Sequence, residues 1–445
     1  MKQITRRDML GRLGLAAGAA MAAGKGSAET PKKPNFVVIF CDDLGYGDLA
    51  CYGNTQIRTP RLDAMAAEGV RFTDFYTAAP VCSPARAALL TGRYPVRSGV
   101  NRVFFPQSTE GLDPAEATLP KTLQSLGYAT ACIGKWHLGH LPEFLPDRHG
   151  FDYYFGIPYS NDMEVTKRGD PPLPLMRNGE IIEQPADQDT LTRRYTEEAA
   201  AFIRRSKDRP FFLYLPHTMP HIPLHCGDDF RDKSARGRYG DVIEEIDWST
   251  GVLLDTLREE GLEENTLVLF TSDNGPWLSY GPDGGEAGPL REGKGTTFDG
   301  GMRVPGIFRW PGRLQPRVEP GFASTLDLYP TFAALAGGAP PEGRQLDGGD
   351  ILPLLEGAQR PDREFFYFHG GALQAFRSGD WKFKRPFKGN IYGKPLEHGE
   401  LLFNLREDPG ETKNLAEAHP ERTREMAARM RAFEASLGDV PPTKK

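Results

Sequence analysis

Four short runs of this chain are apolar almost without interruption: Asn35–Phe40, Tyr128–Ile133, Phe211–Leu215 and Leu267–Thr271. Runs of that length without polar alternation suit parallel strands covered on both faces, not strands with one wet face. Helix signals lie between them. Thr59-Pro60 caps and starts one helix, which Gly69 ends. Thr118-Leu119-Pro120 starts another, and Gly127 stops it. A longer helix is expected from about Gly240 to Glu260, with Val242, Ile246, Leu253, Leu254 and Leu257 roughly on one face. Strand and helix alternating in this way predict an α/β fold with a large, mostly parallel central sheet flanked by helices.

The last part of the chain has a different rhythm. Phe365–Phe368, Ala372–Arg377, Trp381–Lys384 and Glu400–Asn404 read as short strands joined by Gly-rich turns. A closing helix follows, with Met426, Met430, Phe433 and Leu437 at helical spacing as core residues. A small C-terminal antiparallel sheet with one helix is therefore expected at residues 350–440, after a main domain at 34–340. The boundary falls in the Gly/Pro-rich stretch Gly337–Gly349.

The N-terminus reads as an address. Thr5-Arg6-Arg7-Asp8-Met9-Leu10 precedes a Gly/Ala/Leu stretch from Gly11 to Ala23. A charged start, a short apolar segment and small residues near its end predict an export signal over residues 1–28, and the paired arginines point to the twin-arginine route. The stretch is too short to make a good membrane span, and no other segment approaches that length. A soluble mature protein, periplasmic or secreted, is expected. Net charge is −6 and the body holds no Lys/Arg run, which argues against a nucleic-acid partner. The five cysteines are widely spaced and odd in number, so they form no disulfide framework. Cys41 and Cys132 lie in apolar runs as core residues, which leaves room for one cysteine kept for chemistry.

Each predicted strand ends in residues that carry chemistry, and ligands of open α/β sheets bind outside the carboxyl ends of strands. Asp42-Asp43 follows the first run; two adjacent carboxylates repel, and a cation neutralises them. Asp273-Asn274 repeats that logic after Leu267–Thr271. An all-oxygen set favours calcium or magnesium over zinc. Either pair alone also reads as a solvated turn. Cys82-Ser83-Pro84-Ala85-Arg86 opens a helix that Ala87-Ala88-Leu89-Leu90 continues. Cys82 would sit at the helix N-terminus, where free N–H groups favour an anion, with Arg86 about one turn on. An unmodified cysteine there reads as a low-pKa thiol nucleophile or as an inert capping residue. Gly134-Lys135-Trp136-His137 puts a cation and an imidazole at another strand end. Pro216-His217-Thr218-Met219-Pro220-His221 and Gly293-Lys294-Gly295 add two imidazoles and a further cation. Cations suit a small tetrahedral anion and acids suit a metal, the makeup of a sulfuryl- or phosphoryl-transfer site.

The segments Pro80–Gly92 and Gly127–His137 resemble, residue type by residue type, the two signatures of the formylglycine-dependent sulfatase family. Phe40–Asp48, Thr271–Pro276 and Gly293–Pro305 match further blocks in the family order; Gly156-Ile157-Pro158-Tyr159-Ser160 resembles arylsulfatase A, while Gly134–His140 and the run to Phe151 resemble both arylsulfatase A and N-acetylgalactosamine-6-sulfatase. The resemblance covers roughly Pro34 to Arg309. It implies an alkaline-phosphatase-like sandwich and a sulfuric ester hydrolase acting on sulfated sugars or polysaccharides. It also implies that Cys82 is oxidised to formylglycine (3-oxoalanine) by a formylglycine-generating enzyme. One hydroxyl of the hydrated aldehyde would attack sulfur, and the second, deprotonated by His137, would expel sulfate. Arg86 and Lys135 would hold the diol. His221 and Lys294 would bind sulfate oxygens and protonate the leaving oxygen, with Lys135 and Ser160 also on the substrate. Asp42, Asp43, modified Cys82, Asp273 and Asn274 would hold one Ca²⁺. His221, followed by Ile222-Pro223, matches the family position better than His217. Asn161 stands where arylsulfatase A has His. The loops Val103–Asp113 and Met163–Asp187 are expected to set specificity. Two other readings remain: a phosphatase or phosphonate monoester hydrolase of the same superfamily, and a non-catalytic protein that binds sulfated glycans.

Overall fold

A computed structural model describes residues 32–164, 169–359 and 361–438. Among the described residues, ten strands form one central sheet. In chain order they are β1 (Asn35–Cys41), β2 (Val70–Phe72), β3 (Ala129–Ile133), β4 (Tyr153–Gly156) and β5 (Leu175–Arg177). The remainder are β6 (Glu180–Glu183), β7 (Phe211–Pro216), β8 (Thr266–Ser272), β9 (Gly306–Arg309) and β10 (Arg317–Glu319). Their order across the sheet is β10-β2-β9-β8-β1-β7-β3-β4-β5-β6. The strands β8, β1, β7, β3 and β4 are mutually parallel. The flanks are mixed: β9 is antiparallel to both neighbours, and β5 and β6 close the far edge antiparallel.

The four apolar runs become β8, β1, β7 and β3, side by side in the middle of the sheet, with every residue buried. Alternate residues of β1 feed two cores. Val37, Ile39 and Cys41 join one cluster, which includes Leu62, Tyr195, Ile203, Val242 and Ile246 from helices. Phe36, Val38 and Phe40 join the other, with Leu89, Leu90, Leu119 and Phe332. This is why the runs lack polar alternation: each such side chain gains about 1.5–3 kcal/mol on either face. Because the four strands are parallel, their carboxyl ends lie along one edge, and that edge gathers the chemistry.

The helix ends show which local signals act. Thr118 caps helix Leu119–Ser125 by accepting from Lys121 N at 3.4 Å. Thr59 does not cap helix Pro60–Ala67, contrary to expectation. Its hydroxyl instead accepts from Ala50 N and donates to Asp63, so Pro60 alone sets the helix start. The expected long helix spans Arg238–Glu259 and buries Val242, Ile246, Leu253, Leu254 and Leu257. Helix Leu191–Arg205 adds to the expected set; it buries Leu191, Tyr195, Ala199, Phe202 and Ile203 under a charged outer face.

At the C-terminal end, strands Glu364–His369, Ala372–Ser378, Trp381–Lys384 and Leu401–Asn404 form an antiparallel sheet in that order. Helix Pro420–Ser436 covers it, with Met426 and Met430 buried and Phe433 stacked on Phe366. Their core continues into Tyr76, Ala88, Tyr94 and Leu326. Between its last two strands the chain makes a separate hairpin, Phe387–Ile391 paired with Lys394–His398. No helix among the described residues is long and apolar enough to cross a membrane. The expected export signal at 1–28 lies outside the described residues.

Candidate active site

The loops that leave the central strands are laced by backbone bonds. His217 N donates to Phe40 O, Asp42 N to Met219 O, Asp273 N to Cys41 O, and Lys135 N to Pro216 O. Gly134 makes one of these crossings possible. Its φ is +131°, and a Cβ there would lie 1.9 Å from Pro216 O. Only glycine takes that conformation and tolerates that approach. The Lys294 loop is tied in the same way, Lys294 N donating to Pro276 O and Gly295 N to Pro80 O.

Cys82 is the first residue of helix Cys82–Thr91, as expected, and is buried. Its thiol donates to Asp42 Oδ1 at 3.3 Å. The low-pKa thiol reading fails here. Burial and the Asp42 carboxylate push the thiol well above the ordinary cysteine value, and they outweigh Lys135 and Lys294. An unmodified Cys82 is therefore a protonated, weak nucleophile. One turn on, Arg86 is fully buried. It donates through Nε and Nη2 to Asp273 Oδ2 at 3.1 and 2.9 Å, and through Nη1 to the Lys135 carbonyl at 2.7 Å. Lys135 Nζ donates to Asp42 and, at 2.9 Å, to Ser160 Oγ.

The acids converge on the same point. Asp43 N donates to Asp273 Oδ1 at 3.1 Å, and Asn274 Nδ2 donates to Asp43 Oδ1 at 2.7 Å. Lys294 Nζ donates to Asp43 Oδ2 at 2.7 Å, and His221 Nε2 lies 3.6 Å from the same oxygen. Ligand atoms of Asp42, Asp43, Cys82 and His221 all lie within 4.8 Å of one another. Burial alone would raise Asp42, but Lys135 and Arg86 hold it well below the usual carboxylate range. Asp273 goes the other way: burial and the neighbouring Asp42 push it to about 7. Three buried carboxylates with the Asn274 Oδ1 left without a hydrogen bond suit a hard dication, which would relieve their repulsion and use that oxygen.

The histidines divide cleanly. His137 Nε2 meets Phe104 O at 2.9 Å, which leaves buried Nδ1 without a partner. Burial, Lys135 and Arg86 hold its pKa well below the ordinary histidine value, so the ring is neutral. His221 Nδ1 meets Ile222 O at 2.6 Å, which turns Nε2 toward the acids. Burial and Lys294 lower its pKa too. His217 lies elsewhere, buried with Nε2 3.4 Å from Ser249 Oγ of helix Arg238–Glu259.

The sulfatase family model matches residues 34–339 of this chain. The chain belongs to the sulfatase family. It is 42% identical over 443 residues to N-acetylgalactosamine-6-sulfatase of Canis lupus familiaris, across 90% of this chain and 85% of the relative. It is 41% identical over 436 residues to arylsulfatase A of Homo sapiens, across 89% and 85%. A sulfatase structure from work on glycosaminoglycan metabolism by Bacteroides thetaiotaomicron superposes with a TM-score of 0.82 at 29% identity, covering 91% of this chain and all of the other. The protein is thus a sulfuric ester hydrolase with an alkaline-phosphatase-like α/β fold. The sulfatase keeps Cys82, Arg86, Lys135, Ser160, His221, Lys294, Asp42, Asp43, Asp273 and Asn274 in one connected network, with His137 at its margin through Phe104.

Three residues of this sulfatase's site were not legible as such in the sequence. Asp162 bonds to Ser160; burial would raise its pKa, but His221, Lys135 and that bond bring it down. Trp277 lies with its ring centroid 5.3 Å from that of His221 and 4.2 Å from Lys294 Nζ. Tyr392, at the hairpin tip, packs against Trp277 with ring centroids 4.7 Å apart and the rings tilted by 52°. The only available signal was the position of Asp162 and Trp277 within a few residues of Ser160 and Asn274. Asn161, where a histidine was expected by resemblance, turns away: its Nδ2 donates to Gln188 Oε1 and Pro223 O.

Proposed function

We propose that this sulfatase removes O-sulfate groups from sugars, using residue 82 as nucleophile after its thiol is oxidised to formylglycine. The observation that carries the reading is that the buried Cys82 thiol donates to Asp42, which belongs to one bonded network of three carboxylates, Asp42, Asp43 and Asp273, and three cations, Arg86, Lys135 and Lys294. A thiol so disfavoured for ionisation makes poor sense as the working nucleophile. Formylglycine supplies a hydrated aldehyde, a nucleophile that can afterwards release sulfate by returning to the carbonyl. Asp42, Asp43, Asp273 and Asn274, with residue 82, would hold Ca²⁺, and a bound Ca²⁺ would supply polarisation of a sulfate oxygen.

The chain's own groups have distinct tasks. Arg86 and Lys135 fix residue 82 and offset negative charge that grows on the transferring group. His137 accepts a proton at Nδ1, the nitrogen left free by the Phe104 bond. Lys294 and Ser160 bind sulfate oxygens. His221 donates a proton to the leaving oxygen from Nε2. A sulfate anion next to Lys294 offsets the cation that lowers the His221 pKa and so favours its acid form. The names of the relatives, one acting at the 6-position of N-acetylgalactosamine, support a sugar as the leaving group. Residues 1–28 would direct export by the twin-arginine route to the periplasm or medium, after a formylglycine-generating enzyme has acted on Cys82.

Two measurements test the reading together. Mass spectrometry of the peptide holding residue 82 should show the aldehyde and its hydrate. Protein so modified should release inorganic sulfate from members of a panel of sulfated sugars, while a folded Cys82→Ala variant should release none. Sulfate release by Cys82→Ala would remove residue 82 from the mechanism. Binding of the panel without release by fully modified protein would favour the glycan-binding reading.

A further inference from the structure

We infer that a cleft beside the catalytic centre seats the sugar ring that carries the ester, and that Trp277, Tyr392, Glu292 and Lys394 recognise that ring. The inference rests on the sulfated-sugar reading and names where the sugar goes. The cleft has a volume of about 140 Å³ and is bordered by Trp277, Glu292, Lys294, Tyr392, Lys394 and Leu396, among others. Lys294 belongs to both places: it bonds Asp43 at 2.7 Å and lies 4.2 Å from the Trp277 ring centroid. His221 flanks the same indole, at 5.3 Å between centroids. An alcohol oxygen that takes its proton from His221 while Lys294 holds the sulfate would bring its carbon skeleton close to this indole.

The walls fit a pyranose. Trp277 packs against Tyr280 and Tyr392, with ring centroids 4.8 and 4.7 Å away and the rings inclined by 76° and 52°. A pyranose has an apolar C–H face and hydroxyls around its edge, so it wants an aromatic floor and a polar rim. Glu292 and Lys394 supply an acceptor and a donor at the rim, and neither side chain has a hydrogen-bond or ion-pair partner among the described residues. The Trp277 Nε1–H is buried without an acceptor, one more donor that a ligand would complete.

The backbone is bent to put Tyr392 there. Tyr392 and Gly393 form the turn between strands Phe387–Ile391 and Lys394–His398, with φ of +47° and +84°. Positive φ at both central positions is the hairpin turn that favours Asn-Gly or Gly-Gly, so a tyrosine at the first position is strained. Opposite it, Gly295 lacks the Cβ that would stand 2.6 Å from Tyr392 Cε2. The tyrosine ring is therefore admitted to the loop that carries Lys294. The segments 277–296 and 387–398 together, not one loop, make the cleft.

The test uses the modified, full-length enzyme and two exposed-hairpin positions, Tyr392 and Lys394. Trp277 is left in place because it packs on His221 and Lys294. Substrates are a panel of mono-O-sulfated hexoses and N-acetylhexosamines, and 4-nitrophenyl sulfate, which has an aromatic face but no ring hydroxyls. For the sugar best hydrolysed, Lys394→Ala and Tyr392→Ala should lower the ratio of kcat/KM, sugar over aryl ester, by about tenfold or more through KM, the scale of one lost anchor. Tyr392→Phe should recover most of the ratio, since it keeps the stacking face. If the ratio stays at its wild-type value in both alanine variants while the wild type hydrolyses sugars, the subsite is wrong and the sugar reading stands. If the wild type cleaves the aryl ester but none of the sugars, the sugar reading fails and takes the subsite with it.

Discussion

Arg86 and Asp273, 187 residues apart in sequence, meet through two nitrogens on one carboxylate oxygen, at 3.1 and 2.9 Å, with both side chains fully buried. The same guanidinium reaches Asp42 at 3.2 Å and the Lys135 carbonyl at 2.7 Å. One residue thereby fixes the ends of three strands. Arg86→Met would leave buried Asp273 without its cation, while Asp42 keeps Lys135, and should cost about 3–5 kcal/mol of stability. Arg86→Lys keeps the charge but not the fork, so it should retain more stability while losing at least about 100-fold in kcat/KM. Urea unfolding and steady-state kinetics on the two proteins check this. Wild-type stability in Arg86→Met would show that the pairing contributes nothing.

The different hydrogen bonds of His137 and His221 predict different kinetics. His137, with Nδ1 free and the ring neutral, is assigned to sulfate release. His137→Ala should therefore release about one equivalent of alcohol per site and then nearly stop, with an added sulfate mass on residue 82. His221→Ala should slow alcohol release itself, with the larger loss for poor leaving groups such as sugar hydroxyls. Identical, burst-free kinetics for both on an activated aryl sulfate would refute the division of roles.

Three carboxylates and an unpartnered Asn274 oxygen predict a hard cation. Elemental analysis of purified enzyme should find calcium, or magnesium in its place. Chelation should lower both activity and Tm, and calcium at about 100 times its Kd should restore about 2.7 kcal/mol of stability. Stoichiometric zinc that supports activity would contradict the all-oxygen assignment.

His217 predicts a pH effect that does not involve catalysis. Burial lowers its pKa to about 4, against about 6.5 in an unfolded chain. Above pH ~6.5 neither state binds the proton, so the contribution to stability is full. As pH falls toward 4, the unfolded state takes up a proton that the folded state refuses, and stability drops by about 1.4 kcal/mol per pH unit. The loss therefore falls between pH ~6.5 and ~4. His217→Asn should show a shallower decline of Tm between pH 7 and 4.5 than the wild type. Parallel curves would mean that His217 titrates normally in the fold.

What was legible in the sequence was what adjacent residues encode. Uninterrupted apolar runs require burial on both faces, and Asp42, Lys135, His217 and Asp273 each follow such a run directly. A strand that must be central thus announces its own loop as a site loop. Cys82 and Arg86 were legible because a helix start fixes both within one turn. The partnership of these residues was not legible in spacing alone, and the family signatures supplied it. Nothing local separates Trp277, Asp162 or Tyr392 from ordinary loop residues. Nor could spacing distinguish His221 from His217: both follow β7, but one faces Asp43 and the other Ser249. The sequence left the state of the Cys82 thiol open, between a low-pKa nucleophile and an inert residue, for a similar reason. A helix N-terminus is visible in sequence, whereas the Asp42 carboxylate beside the thiol is 40 residues away. Local sequence suffices for the central strands, the helix that presents residue 82 and the set of acids and cations at the sheet edge. Which of these groups touch, their protonation, and the aromatic cleft beside Lys294 follow from the folded chain alone. Those depend on contacts between segments far apart in the chain, such as Lys294 with Asp43, 251 residues apart, and on burial, which belongs to the packed fold and to no short stretch of chain.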